Sequence, residues 1–583
     1  MGRFSVSTID SKQPTPQASP LVLEATLATD AVSAAPPIDR RHDLDALRAI
    51  AMLLGIVLHA ALSFSPIPWT VKDRFQSDSY YVLFAAIHGF RMPLFFMLSG
   101  FFTAMLWRRR GLWAMLLHRA RRIGLPLFLS CLTIIPAMWI VTALVSRPAP
   151  PSTESAAAWE AVVAGDTMQV LQAIEQGDFD VNAISEDGAS VLTVAVFLGH
   201  TDMVKMLIDK GADVHQRNRD LGTALHSAAF LGRAEEAELL LRAGADPDTL
   251  DIKGQTPKDL LTIDFLTTNS IANAFGTSVD ERRLWEGRQR IARQLGIPES
   301  SLRQPADASG GPLAALFGFL FYFPFFMHLW FLWFLCWLVA AFPLYAWLGG
   351  KLRPTRLLRW LTCSWASLLW LVPLTMLPQA FMTQQTFGPD ASIGLLPLPH
   401  VMAYYAVFFY FGALYWDAGD AAGRLGRHWI ITIVLALLIV FPVGLDLVSG
   451  TFGLVRPQDE LPFGRLAASF LQALYAWLML RGSIGLFRQT MPAESKTLRY
   501  ISDSSYWLYL SHLPLVLLAQ WLVRDWPMPT VAKFVGIVVV VTALLLLSYH
   551  YCVRYTWIGR LLNGPLRGIG FQPVNHFPSA PVA

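Results

Sequence analysis

Residues 40–64 read RRHDLDALRAIAMLLGIVLHAALSF. From 46 to 65 the stretch is apolar for long enough to cross a ~30 Å hydrocarbon layer, yet it carries Arg48 near one end and His59 near the other. At ~100° and ~1.5 Å per residue, an 11-residue spacing leaves the two side chains ~20° apart around a helix and ~16 Å apart along it. They share one stripe, and Asp45 lies on roughly the same side, where it also suits a helix cap. Ionisable groups in a span are costly unless paired or hydrated, so each is a candidate for function. The stretch therefore reads as a membrane helix with a purpose.

The rest of the chain agrees. Of 583 residues, 54% are hydrophobic and only 15% charged, with 20 Trp and 37 Phe; a soluble chain carries about 25% charged residues. Soluble enzymes, disordered chains and disulfide scaffolds are excluded. Ten apolar stretches are predicted as spans, at 46–65, 80–106, 123–145, 325–346, 358–377, 398–416, 429–448, 464–481, 503–523 and 531–553. Residues 313–346 start as an interfacial or re-entrant segment before Pro324. The positive-inside rule orients the bundle. Arg108, Arg109, Arg110, Arg119, Arg121 and Arg122 follow the second span, Lys351, Arg353, Arg356 and Arg359 the fourth, and Arg424 and Arg427 the sixth. Arg481, Arg488, Lys496 and Arg499 follow the eighth, and Arg554, Arg560 and Arg567 the tenth. Opposite them stand only Lys72, Arg74, Arg147, Arg456, Arg465, Arg524 and Lys533. Both termini are expected in the cytoplasm of a bacterial inner membrane, with 1–40 and 556–583 as tails.

Residues 150–310 are different. They hold 14 Lys and Arg against 25 Asp and Glu, and the remainder 32 against 17. Within this acidic block Gly165, Gly199 and Gly232 recur at 34 and 33 residues, as do Gly177, Gly211 and Gly244. The units AGDTMQVLQAIEQGDFDVN, LGHTDMVKMLIDKGADVHQ and LGRAEEAELLLRAGADPDT resemble ankyrin repeats: paired antiparallel helices, each pair burying its apolar face only against a neighbour. The array is expected over 152–260, with a partly helical connector at 261–312. The resemblance implies an unidentified protein partner. Three spans precede the insert, which places it outside the cytoplasm, in the periplasm. The expected fold is all-α: a polytopic helix bundle (41–147 and 313–555) with an inserted ankyrin solenoid.

LDALRAIAMLLGIVLH, FRMPLFFMLSGFF, HLWFLWFL and YWLYLSHLP, in that order, resemble the signature segments of the acyltransferase 3 family of integral membrane proteins, nearest its glucan-modifying succinyltransferase branch. The likeness covers essentially all the membrane part; the ankyrin insert departs from the family plan. It implies O-acylation of an extracytoplasmic carbohydrate or glucan from acyl-coenzyme A as co-substrate, with no bound cofactor, and a catalytic role for His59 in the family's Arg-ten-residues-His motif. Arg119 and Arg122 match its Arg-x-x-Arg element, suited to clamping the donor's phosphates.

The residues can also be weighed by chemistry. An imidazole such as His59 accepts a hydroxyl proton near neutral pH. Arg48 and Arg91 are permanent cations suited to an oxyanion or a phosphate. His328 and His512 are further site-lining candidates, for acceptor binding or as packed, hydrogen-bonded rings. Ser99 is a nucleophile in principle, but small residues beside Gly100 ease close helix packing. No Cys-x-x-Cys, His-x-x-x-His within a span or phosphate-cradling Gly-rich loop occurs, so no metal site is expected. The basic clusters read as membrane anchors rather than a nucleic-acid stripe. Two other readings remain: a transporter or flippase, and a membrane-anchored ankyrin scaffold without catalysis.

Overall fold

The computed structural model describes residues 41–564 except 68, 146–152, 186–187, 219–221, 252–254, 275–276, 299–301, 303–311, 351–354, 384–385, 459–460 and 494. The expected tail at 1–40, the part of the C-terminal tail beyond 564, and Arg147, Lys351, Arg353 and Arg567 lie outside the described residues. Among those described, the only β feature is a single bridge, Ile184 to Ser190; everything else regular is helical.

Among the described residues, eight helices are long and apolar enough to cross a membrane: His42–Leu62, Asp78–Arg110, Leu112–Val145, Met327–Gly349, Trp429–Ser449, Gly464–Thr490, Lys496–Val523 and Thr530–Val553. Arg356–Cys363 and Ala366–Gln379, bent by 59° at their junction, make a ninth if counted as one span. The remaining expected span is the helix Pro399–Ala418; four tyrosines and a histidine lower its hydropathy, and its inner face is fully packed. The helix before Pro324 is separate, Pro312–Tyr322, and a short 3-10 turn at Met327–Leu329 opens the fourth span.

Close crossings set the bundle. A Cβ on Gly100 would sit 1.7 Å from the Phe409 carbonyl oxygen, and one on Gly412 1.9 Å from that of Met97. The second span and Pro399–Ala418 therefore meet backbone to backbone, as small residues allow. The arginine-rich segment after the second span is helical rather than a loop. Gly111, at φ 81°, breaks the chain, and Leu112–Arg119 then runs through one π turn, Ala120–Gly124, into the third span. Two sequence expectations are corrected here. Asp45 does not cap its helix: Arg41 stands at the N-cap, and Asp45 lies in the first turn. Arg481 is no loop charge: it is buried, donating to the Ser364 carbonyl (3.0 Å) and the Ser367 hydroxyl (2.7 Å).

The insert is an ankyrin array. Gly177, Gly199 and Gly232 end their helices in the left-handed conformation at φ 80°, 80° and 65°, which explains why glycine recurs at the repeat period. The segment expected as a connector does more than tether. Its helix Glu281–Gln294 docks on the third repeat, with Gly287 so close to Gly232 that a Cβ would fall 1.9 Å from the carbonyl oxygen of Gly232. Arg288 on this helix is fully buried and donates to the carbonyls of Phe230 (2.6 Å) and Ile263 and to the Thr268 hydroxyl (3.0 Å). Burial pushes its guanidinium down to about 10, still charged at neutral pH. The helix thus caps an array that would otherwise end on an open apolar face. Arg288→Ala strands three buried polar groups and should cost the insert about 3 kcal/mol. Urea-dependent proteolysis of the insert within the intact protein will read this; an unchanged midpoint would refute the cap.

Candidate active site

The first span faces Lys496–Val523 along its whole length. Arg48 donates to the Ser502 hydroxyl (2.8 Å), and His59 Nδ1 lies 3.1 Å from His512 Nε2. Both side chains thus turn to one neighbouring helix, as their 11-residue spacing dictates. They do not, however, share one described cavity.

Arg48 lines a cavity of about 740 Å³ at the arginine-rich end of the bundle, together with Asp45, Ser99, Arg119 and Arg122. Arg41 and Arg109 add to its cationic wall, and the His118 ring also lines it. Asp45 stands 3.6 Å from Arg48. Arg119 reaches the Ser99 carbonyl at 3.4 Å, and Arg122 donates to the Leu562 carbonyl at 2.9 Å. The Nε atoms of Arg48 and Arg119 are buried without a partner. The cavity's apolar end is marked by Met52 and Phe95.

Arg91 lies one helical turn beyond that end. It is 8% exposed, and a Cβ on Gly55 would fall 2.2 Å from its Nη1, so the guanidinium crosses the first span where that span has no side chain. Among the described residues it has no hydrogen-bond or ion-pair partner, and its Nε is buried and unsatisfied. Gly55 precedes His59 by four residues, about 6 Å along the axis, whereas Arg48 is about 16 Å away. The guanidinium nearest the His59 imidazole along the bundle is therefore Arg91.

Three imidazoles gather beyond it. The rings of His59 and His512 are 5.0 Å apart, and those of His512 and His328 meet edge-on at 5.7 Å. Backbone carbonyls decide where the hydrogens sit, because a carbonyl can only accept. His59 Nδ1 is 2.8 Å from the Gly55 carbonyl oxygen, and His512 Nδ1 is 2.9 Å from that of Tyr509. In the neutral rings both Nδ1 atoms carry the hydrogen. His512 Nε2 then presents a lone pair to His59 Nδ1–H, and His59 Nε2 keeps its own lone pair free on a half-buried ring. His328 donates from Nε2 to the Leu510 carbonyl (3.1 Å), leaving its Nδ1 buried and unpaired. Tyr509 holds the arrangement from outside by donating to the His328 carbonyl at 2.7 Å. Among the described residues no group of three His, Cys, Asp or Glu is disposed to hold a metal ion.

Ser99 lies eight residues beyond Arg91, about 12 Å along its helix, away from the imidazoles. Its carbonyl takes the Thr103 hydroxyl at 2.7 Å. Sequence reasoning missed Gln520 and Trp69. Gln520, 1% exposed, donates to the His59 carbonyl (2.9 Å) and accepts from the Trp69 indole (2.9 Å), whose ring is 6.0 Å from His59. An available signal was the eight-residue spacing of His512 and Gln520, which keeps a second polar group on the same helical face. The loop bearing Trp69 is pinned by Asp73, which accepts from Lys533 at 2.8 Å with both side chains 1% exposed.

A buried guanidinium without a partner costs stability, and one with partners contributes it. Arg91→Met should leave thermal stability in detergent unchanged or raise it by about 1–3 kcal/mol. Arg481→Met, which strands a carbonyl and a hydroxyl, should lower it by about 2 kcal/mol. Melting curves that rank the two variants the other way would show that Arg91 is structural.

Comparison with known proteins adds a lineage. An acyltransferase-domain family model matches residues 41–163 and 292–550, and an ankyrin-repeat model matches three copies over 156–251. The chain is 40% identical over 103 residues to the glucans biosynthesis protein C of Escherichia coli, and 38% identical over 102 residues to that of Salmonella paratyphi B. Each match takes in 18% of this chain and 26% of the relative, so the chain spans about a quarter of the length of these relatives.

Proposed function

This chain belongs to the acyltransferase 3 family of multi-pass membrane proteins, and from that premise we propose that it moves an acyl group from acyl-coenzyme A to a hydroxyl of an extracytoplasmic carbohydrate, with a glucan as the favoured acceptor. The observation that carries the reading is one juxtaposition: a free imidazole lone pair on His59 one helical turn from the unpartnered guanidinium of Arg91. A tetrahedral oxyanion would give that cation the counter-charge its surroundings lack.

The donor's phosphates are held in the cationic cavity by Arg119 and Arg122, with Arg48 completing the wall. Its acyl arm runs past Met52 and Phe95 towards Gly55. The acceptor hydroxyl gives its proton to His59 Nε2 as its oxygen attacks the thioester carbonyl. Arg91 offsets the charge on the carbonyl oxygen. Collapse breaks the carbon–sulfur bond, and the departing thiolate takes the proton from the imidazolium. His512 and the Gly55 carbonyl act on the other side of the ring, holding Nδ1–H in place throughout. His328, its ring edge-on to that of His512, buttresses the imidazole pair. Attack is direct: Ser99 is too far inward to carry the acyl group. The relatives' printed name, glucans biosynthesis, supports the choice of acceptor. The charge asymmetry of the loops supports an inner-membrane location with cytoplasmic termini, and the odd number of preceding spans supports a periplasmic ankyrin array. The repeats supply a surface for a protein partner.

His59→Gln should lower acyl transfer by about 10²–10⁴-fold with folding retained. Coenzyme A release by purified protein in detergent, without any gradient, measures it; retained turnover would remove the base. Arg119→Gln with Arg122→Gln should raise the donor KM at least tenfold with little change in kcat. An effect on kcat alone would place those arginines elsewhere in the mechanism. Release that requires a gradient would favour transport.

A further inference from the structure

A second cavity, of about 800 Å³, lies between the ankyrin array and the membrane part. Trp69 and Lys72 of the loop after the first span form one side. The other is the array's inner helices and hairpin turns, represented by Trp159, Phe197, Asn218 and Gln255. Ankyrin arrays take their partners on this concave face; here it is turned towards the protein's own membrane domain. Trp69 belongs to both places, lining the cavity while its ring stands 6.0 Å from that of His59. One indole thus separates the cavity from the imidazole cluster.

Its chemistry is specific. Asn218 Oδ1 accepts from the Ser190 amide (3.2 Å), but among the described residues its Nδ2 has no partner, nor has the side-chain amide of Gln255. Two planar amides with open hydrogen-bonding groups and two indoles line the one cavity. Sugars match such a surface, since their hydroxyls pair with amides while their C–H faces lie on aromatic rings. The volume falls within the roughly 300–1,000 Å³ of small-ligand pockets, which suits a few sugar units better than a folded partner.

We infer that the ankyrin insert is a carbohydrate-binding vestibule: its concave face and the Trp69 loop together hold a glucan chain so that one hydroxyl reaches His59. The destination of that hydroxyl rests on the acyl-transfer reading; the binding itself does not. Calorimetric titration of the full-length protein in detergent with a ladder of glucose oligosaccharides, in the absence of donor, tests it. The unaltered protein should bind. Trp159→Ala, and Asn218→Ala with Gln255→Ala, should each weaken binding at least tenfold. Trp159→Phe, which keeps a ring in place, should recover most of the affinity and guards against a merely unfolded array. Binding of acyl-coenzyme A alone, titrated in the same way, should be unchanged in all of them. Oligosaccharide binding that ignores these substitutions, or no binding by the unaltered protein, overturns the vestibule. Binding that depends on them in a protein that never releases coenzyme A upholds the vestibule and removes the acyl-transfer reading instead.

Discussion

A guanidinium carried into the apolar interior of a helix bundle needs a counter-charge, and Arg91 has none among the described residues. It is accommodated because Gly55 offers no side chain on the facing helix. Around this one costly group the membrane domain divides. On one side lies a cavity walled by five arginines; on the other lie three imidazoles whose hydrogens are fixed by backbone carbonyls. Proteins keep such costly groups chiefly at functional sites.

Much of this was legible in the sequence because the membrane simplifies the reading. A span needs about 20 apolar residues, so its outline is visible without neighbours, and the period of 3.6 sets which polar residues share a face. Hence Arg48 and His59 could be placed on one stripe, and both contact the same helix. The repeat glycines were equally plain, since left-handed helix ends demand them at fixed intervals.

What could not be read was contact between distant segments. Arg91 stood in a signature motif, but its proximity to Gly55 depends on how two spans cross. Arg481 looked like a loop charge because charge counting ignores depth; the structure gives it buried partners on the bent fifth span. Gln520 carries no charge and sits in an apolar run, so composition does not flag it. The capping role of Glu281–Gln294 was hidden because a polar helix reads the same whether it spaces domains or closes a solenoid.

The bonds that complete the imidazole cluster span most of the chain: His59 meets His512 across 453 positions, and Asp73 meets Lys533 across 460. During synthesis the N-terminal half therefore enters the bilayer with the His59 ring unsupported and the Trp69 loop unanchored. Only when the last two helices arrive does the ring gain its neighbour and the loop its tether. A chain cut short before them would lack both contacts, a dependence written into connectivity alone.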